Sequence, residues 1–190
     1  MKDLLTSINE AEDNPDYQHY IDHVPEEGIW LEFGVMSGAT FRRFAEYTTK
    51  PFYGFDCWEG LPEDWLTAAG NARHTKGEFK SGPPTNLPSH CVLVSGLFED
   101  SLPEFCKEHK DLIAFMHIDC DLYSSTKTIF DNLKDRFQDG AVIMFDEICG
   151  YDGWEIHEYK AFNEFLEETK YKHECLGKYG THQMGFKIYK

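Results

Sequence analysis

Five stretches of strand length are apolar almost without a break: residues 28–35 (GIWLEFGV), 51–58 (PFYGFDCW), 91–96 (CVLVSG), 112–118 and 141–145. Between them the apolar positions take helical spacing, which predicts helices over about 40–47, from Ser101 and Pro103 to about Lys110, and from Ser124 or Ser125 to about Phe137. Asp139-Gly140 is the expected stop of that third helix. A further helix is expected over 155–169, where Ile156, Tyr159, Phe162 or Phe165, and Leu166 fall at helical spacing. Residues 3–23 predict a polar amphipathic helix, or two short ones broken near Pro15. The chain closes on two strand-like runs, YKHECLG and QMGFKIYK, with a glycine-containing loop between them. Strands alternating with helices, without repeats or linkers, predict a single α/β domain over 1–190 with a short helical segment at 1–25. Its sheet is mostly parallel and seven-stranded, with helices on both faces and an antiparallel C-terminal edge strand from the terminal pair.

One segment fits no element. Residues 59–89 lack a strong apolar period and hold Pro62, Pro83, Pro84 and Pro88. So long a connection in a compact domain is usually functional, and a lid is expected there.

Two of the apolar runs end in carboxylates. MHIDCDLYSS delivers His117, Asp119 and Asp121, and AVIMFDEICG delivers Asp146 and Glu147. A carboxylate at the rim of a core is costly to desolvate unless a cation or hydrogen-bond donor meets it. Ligands of parallel sheets bind outside the carboxyl ends of the strands, which is where these side chains would lie. Asp119, Asp146 and Glu147 can converge from two strand ends, and three carboxylates suit a hard cation such as Mg²⁺. A zinc site using His117 and Cys120 is disfavoured, because alternation turns 117 and 119 to one face and 120 to the other. His117 is then a core histidine or one placed behind a ligand. Asp121 stays open between fourth ligand, helix cap and general base.

The first strand leads into Gly34, Ser37 and Gly38 before a helix. Glycines there let backbone approach a ligand closely, and the helix start offers free N–H groups. The pattern departs from G-x-G-x-x-G at Met36. Asp56 follows Glu32 by 24 positions at the next strand end, where an acidic side chain can take a ribose hydroxyl pair.

Composition narrows the field. With 34 acidic against 18 basic residues the formal charge is −16, which argues against nucleic-acid or anionic-membrane partners. No apolar run approaches the ~20 residues of a membrane span. The acidic N-terminus lacks the apolar core of a signal peptide, so the expected location is the cytoplasm. The cysteines at 57, 91, 106, 120, 149 and 175 are scattered without a C-x-x-C pair and are read as reduced packing residues.

LEFGVMSGAT, GFDCWEGLPE, HIDCDLYSSTKTIFDNL and GAVIMFDEICG together resemble, in order and spacing, the macrocin O-methyltransferase family, over about residues 28–170. That family methylates sugar hydroxyls on macrolide antibiotics. The resemblance implies the Rossmann-like class I methyltransferase fold, S-adenosylmethionine and a magnesium ion. It implies Glu32, Gly34, Ser37 and Gly38 around the methionine part of the cofactor, Asp56 on its ribose, Trp58 near the adenine and Gly96 to Phe98 on the other side, with Asp119 also close. Catechol O-methyltransferase, a more distant relative in fold, likewise has metal ligands after its fourth and fifth strands. It carries a lysine three residues after its first metal aspartate, and here that position is Leu122. A lysine base would have to be Lys76 or Lys127, so Asp119 or Asp121 is the expected catalytic base. The N-terminal segment and residues 59–89 have their own composition, so the macrolide acceptor does not carry over. The expected activity is O-methylation of a hydroxylated small molecule, a sugar or other polyhydroxylated acceptor, with a homo-oligomer compatible. Two rivals remain: a non-catalytic cofactor- or metal-binding module of the same fold, and an NAD-binding oxidoreductase, which leaves the Asp119/Asp146/Glu147 cluster without a purpose.

Overall fold

A computed structural model describes residues 2–13 and 16–190. The expected helix break near Pro15 lies outside the described residues. On either side are two short helices, α1 (Leu4–Asn9) and α2 (Tyr17–Ile21), capped by the carboxylates of Asp3 and Asp16.

The main sheet has seven strands: β1 (Ile29–Phe33), β2 (Phe52–Asp56), β5 (Cys91–Ser95), β6 (Ile113–Ile118), β7 (Phe137–Phe145), β8 (Lys172–Tyr179) and β9 (Gln183–Tyr189). β3 (Trp65–Leu66) and β4 (Ala72–His74) form a separate antiparallel hairpin within the expected lid. The strand order is β5-β2-β1-β6-β7-β9-β8. The first five are parallel, and β9 is antiparallel to both neighbours. The terminal pair is thus the expected edge hairpin, with the last strand of the chain placed one position in from the edge. Sequence order reverses between β1 and β6, which opens the crevice where such sheets hold ligands.

Alternation along the strands fills two cores. Leu31, Phe33, Met116 and Ile118 face α4 (Phe98–Glu108), α5 (Tyr123–Leu133) and α6 (Glu158–Thr169), with Leu102, Ile129 and Phe162 fully buried against them. Trp30, Phe115 and Met144 face α2 and α3 (Ala39–Ala45), where Tyr20, Phe41 and Phe44 complete the layer. The covering helices on both faces explain why the strands read as continuous apolar runs.

Two helix bounds differ from the sequence reading. α4 starts at Phe98, so Pro103 sits inside it instead of in its first turn. The carbonyl that Pro103 leaves without a partner belongs to Glu99, which is exposed and open to water. Ser101 caps nothing at the entry; its hydroxyl donates to the Leu97 carbonyl one turn back. α5 ends at Leu133, and Phe137 already belongs to β7, paired with Ile113. Phe137 follows Leu133 at helical spacing, which made the strand start look like a last helical turn. Gly140, at φ +80°, is a kink inside β7 and not a helix stop: residues 113 to 115 of β6 answer 137 to 142 of β7.

The six cysteines are free thiols. No helix among the described residues is long and apolar enough to cross a membrane.

Candidate active site

A cavity of about 750 Å³ opens at the carboxyl ends of β1, β2, β5, β6 and β7. The β1 exit forms its floor. Gly34 stands there at φ +89°, and a Cβ on it would lie 1.7 Å from the Asp119 carbonyl oxygen. Only glycine allows β1 to pass so close to the β6 exit, an approach sealed by the Asp119 N–H donating to Phe33 O.

Asp56 ends β2 and acts as a hub. One oxygen accepts from the N–H groups of Val35 and Met36, at 2.9 and 2.7 Å, and the other from that of Trp58 at 2.6 Å. The carboxylate therefore shapes the turn after β1 and still borders the cavity. Gly96 and Phe98 border it from the other side, with the Phe98 ring edge-on to Phe33.

Four residues expected near the cofactor, Trp58, Ser37, Gly38 and Glu32, do not border the cavity. Trp58 is buried, and its indole N–H donates to the Met36 carbonyl at 3.1 Å. Ser37 and Gly38 turn toward the end of the lid segment: Arg42 donates to both their carbonyls and to that of Thr85, while Gly38 packs against Pro84. Met36 takes the exposed place at the mouth instead. Glu32 is wholly buried beneath the turn, accepting from the Thr40 hydroxyl at 2.8 Å, with its second oxygen 3.4 Å from His117 Nδ1.

The carboxylates after β6 and β7 meet at the cavity. Ligand atoms of His117, Asp119 and Asp146 lie within 4.8 Å of one another. Both nitrogens of the fully buried His117 lack a hydrogen-bond partner. Asp146 is held in turn by the Gln183 side-chain amide, which also accepts from Tyr17. Glu147 stands outside this grouping and faces Asp121. Burial first, and then the charges of Asp146 and Asp121, push the Asp119 carboxyl well above the usual carboxylate range. Burial and Glu147 do the same to Asp121, and burial and Asp146 raise Glu147. Such a cluster is relieved by protonation or by a cation among its oxygens.

Of the two candidate lysines, Lys76 borders the cavity, whereas Lys127 pairs with Asp131 on the outside of α5. The segment expected to be a lid is tied down over its first half. Leu61 and Gly77–Glu78 exchange backbone hydrogen bonds, Trp65 is buried with Leu61, Leu122 and Tyr151, and the Ser124 hydroxyl donates to Glu63.

The sequence reading missed Glu158. It is the first residue of α6, fully buried, and its Oε1 accepts from the N–H groups of Cys120 and Asp121. No spacing signal marks it, because it reaches the site from 37 residues along the chain.

No curated protein sequence matches the chain. Solved structures share its fold. CalS11, a calicheamicin methyltransferase, is 20% identical with a TM-score of 0.68, covering 97% of this chain and 77% of its own. The O-methyltransferase NovP is 18% identical with a TM-score of 0.65, covering 89% and 74%. MycE, a methyltransferase of mycinamycin biosynthesis solved with Mg and SAH, is 11% identical with a TM-score of 0.59; 91% of this chain matches 48% of that one. Residues 31–148 match the family described as methyltransferase domain. They hold the glycine turn, Asp56 and every carboxylate that borders the cavity, and the chain belongs to that family.

Proposed function

We propose that the protein is an S-adenosylmethionine-dependent O-methyltransferase that uses a divalent cation, Mg²⁺, to methylate a hydroxyl of a sugar or other polyhydroxylated small molecule. The observation that carries this reading is the convergence of Gly34, Asp56, Asp119 and Asp146 on one cavity at the strand ends. The residues suit both groups. The Gly34 cradle and the free face of Asp56 suit a cofactor laid across β1 and β2, with Gly96 and Phe98 flanking it. Asp119 and Asp146, with Glu147 beside them, offer hard oxygen ligands to an ion. When bound, the cofactor supplies an electrophilic methyl and the ion lowers the pKa of a chelated hydroxyl.

The chain's own residues orient and deprotonate. Asp121 borders the same cavity and takes the proton of the acceptor hydroxyl on its carboxylate, with Asp119 as the alternative. The lid keeps water from the reacting pair. Seven carboxylates border the cavity against Lys76 and His74, which favours a small acceptor over a nucleic acid. NovP, an O-methyltransferase, and MycE, a methyltransferase solved with Mg and SAH, support the same class.

The test is release of S-adenosylhomocysteine from a panel of hydroxylated acceptors, with Mg²⁺ and with chelator. We expect turnover only with the cation, and loss of at least ~100-fold in Asp146→Asn. Full turnover in chelator would remove the ion from the mechanism. Cofactor binding without turnover of any acceptor would leave a binding module.

A further inference from the structure

We propose that Glu158 is a positioning residue of the transfer site, gripping the turn that carries Asp119 and Asp121. A carboxylate with no exposed surface is costly to bury and persists only where something requires it. Glu158 opens α6, where an acidic side chain ordinarily meets the helix's own free N–H groups. Its Oε1 instead accepts from the N–H groups of Cys120 and Asp121, at 3.4 and 3.2 Å. The gripped turn is tight and strained: Leu122 N–H donates to Cys120 O at 2.6 Å, and Asp121 stands at φ +65°, unusual for a residue with a side chain.

The grip has a fixed origin. His157, the preceding residue, is buried and donates from Nε2 to the Leu66 carbonyl at 2.7 Å. Gly153 lies so close to the β3–β4 hairpin that a Cβ there would be 2.8 Å from Ala68 N. The start of α6 is therefore wedged between the lid hairpin and the carboxylate turn, and Glu158 transmits that fixed position to Asp119 and Asp121. Its second oxygen has no hydrogen-bond partner and lies in the field of Asp121, Glu147 and Asp146. In an apolar replacement the relief of a buried carboxylate offsets the two N–H groups left without an acceptor, so stability alone gives little reason to keep an acid there.

This contrast makes the test. Glu158→Met fills the volume without an acceptor, and Glu158→Gln keeps an acceptor oxygen without the charge. In Glu158→Met we expect an unchanged or higher melting temperature, together with at least tenfold faster amide exchange at Cys120 and Asp121. We also expect at least tenfold weaker binding of Mn²⁺, used as a paramagnetic probe of the ion site, and S-adenosylmethionine affinity within about twofold of the parent. Glu158→Gln should restore both exchange and Mn²⁺ affinity to within about threefold. Unchanged exchange at 120 and 121 in Glu158→Met overturns the proposal. So does a fall in melting temperature with loosening spread over the whole sheet, the mark of a packing role, or a Gln variant as impaired as Met. The Mn²⁺ readout rests on the proposed function. If the parent binds no Mn²⁺, the ion reading fails by itself and the exchange readout alone decides the role of Glu158.

Discussion

Gly34 and Asp56 show how much of the site is decided by single residues. A methyl group on Gly34 meets the Asp119 carbonyl at 1.7 Å and must also accept φ +89°. We expect Gly34→Ala to cost about 2–4 kcal/mol in urea unfolding, and a loss below ~1 kcal/mol would mean the β1 and β6 exits separate freely. Asp56→Ala leaves three backbone N–H groups without their acceptor. It should therefore weaken S-adenosylmethionine binding by one to two orders of magnitude and also lower stability by about 2 kcal/mol or more. Calorimetry and denaturation separate the two effects, and unchanged affinity in a folded variant would take Asp56 out of the cofactor site. The carboxylates at strand ends were legible in the sequence, because apolar runs that stop in Asp and Glu mark the ligand rim. The roles of Trp58, Ser37 and Gly38 were not. Their placement depends on neighbours distant in sequence, Trp58 on the Met36 carbonyl and the glycine turn on Pro84, with the local Arg42 holding the turn's carbonyls. Glu158 was invisible for the same reason.

At the scale of elements, the strands and the order of helices were readable, and the errors lie where two periods overlap. Phe137 extends the helical stripe of α5 yet joins β7, because pairing with Ile113 outweighs one more turn of helix. The lid segment was readable only as an absence of pattern, and its hairpin is too short to leave a period. Its anchors divide it into unequal parts. Leu61 and Trp65 are buried, while residues 69–73 are exposed around a turn at Gly70. Amide exchange should accordingly be fast over 68–72, slow at Leu61 and Gly77, and slower throughout once cofactor and acceptor are bound. Uniformly slow exchange indifferent to ligand would end the lid assignment.

Across the whole molecule the decisive property is unbalanced negative charge focused at one rim. Asp119, Asp121, Glu147 and Glu158 all hold their protons more tightly in the folded chain than a free carboxyl does, burial being the first cause in each. The sign follows from linkage. Groups whose folded pKa is raised stabilise the fold fully below the ordinary carboxylate range, and this stabilisation is lost as pH rises through the raised values. An ion must displace those protons, so it gains where they are already gone. The rise in melting temperature given by saturating Mg²⁺ should therefore grow between about pH 5 and about pH 8, and shrink in Asp146→Asn. A rise that is flat with pH would show that the ion, if it binds, does not meet these carboxylates.

The central position of β1 has a consequence for the order of assembly. β1 is paired on one side with β2, made soon after it, but on the other with β6, some eighty residues later along the chain. Gly34 cannot meet Asp119 until that late strand has slotted in, and the grip of Glu158 comes later still. During synthesis the growing chain can pair β1 with β2 and β2 with β5 yet has no place for a cofactor until most of the sequence has emerged. The ligand can then act only as a seal on a finished sheet and not as a template for it, and the apolar flank of β1 is the surface that must be shielded while the chain waits.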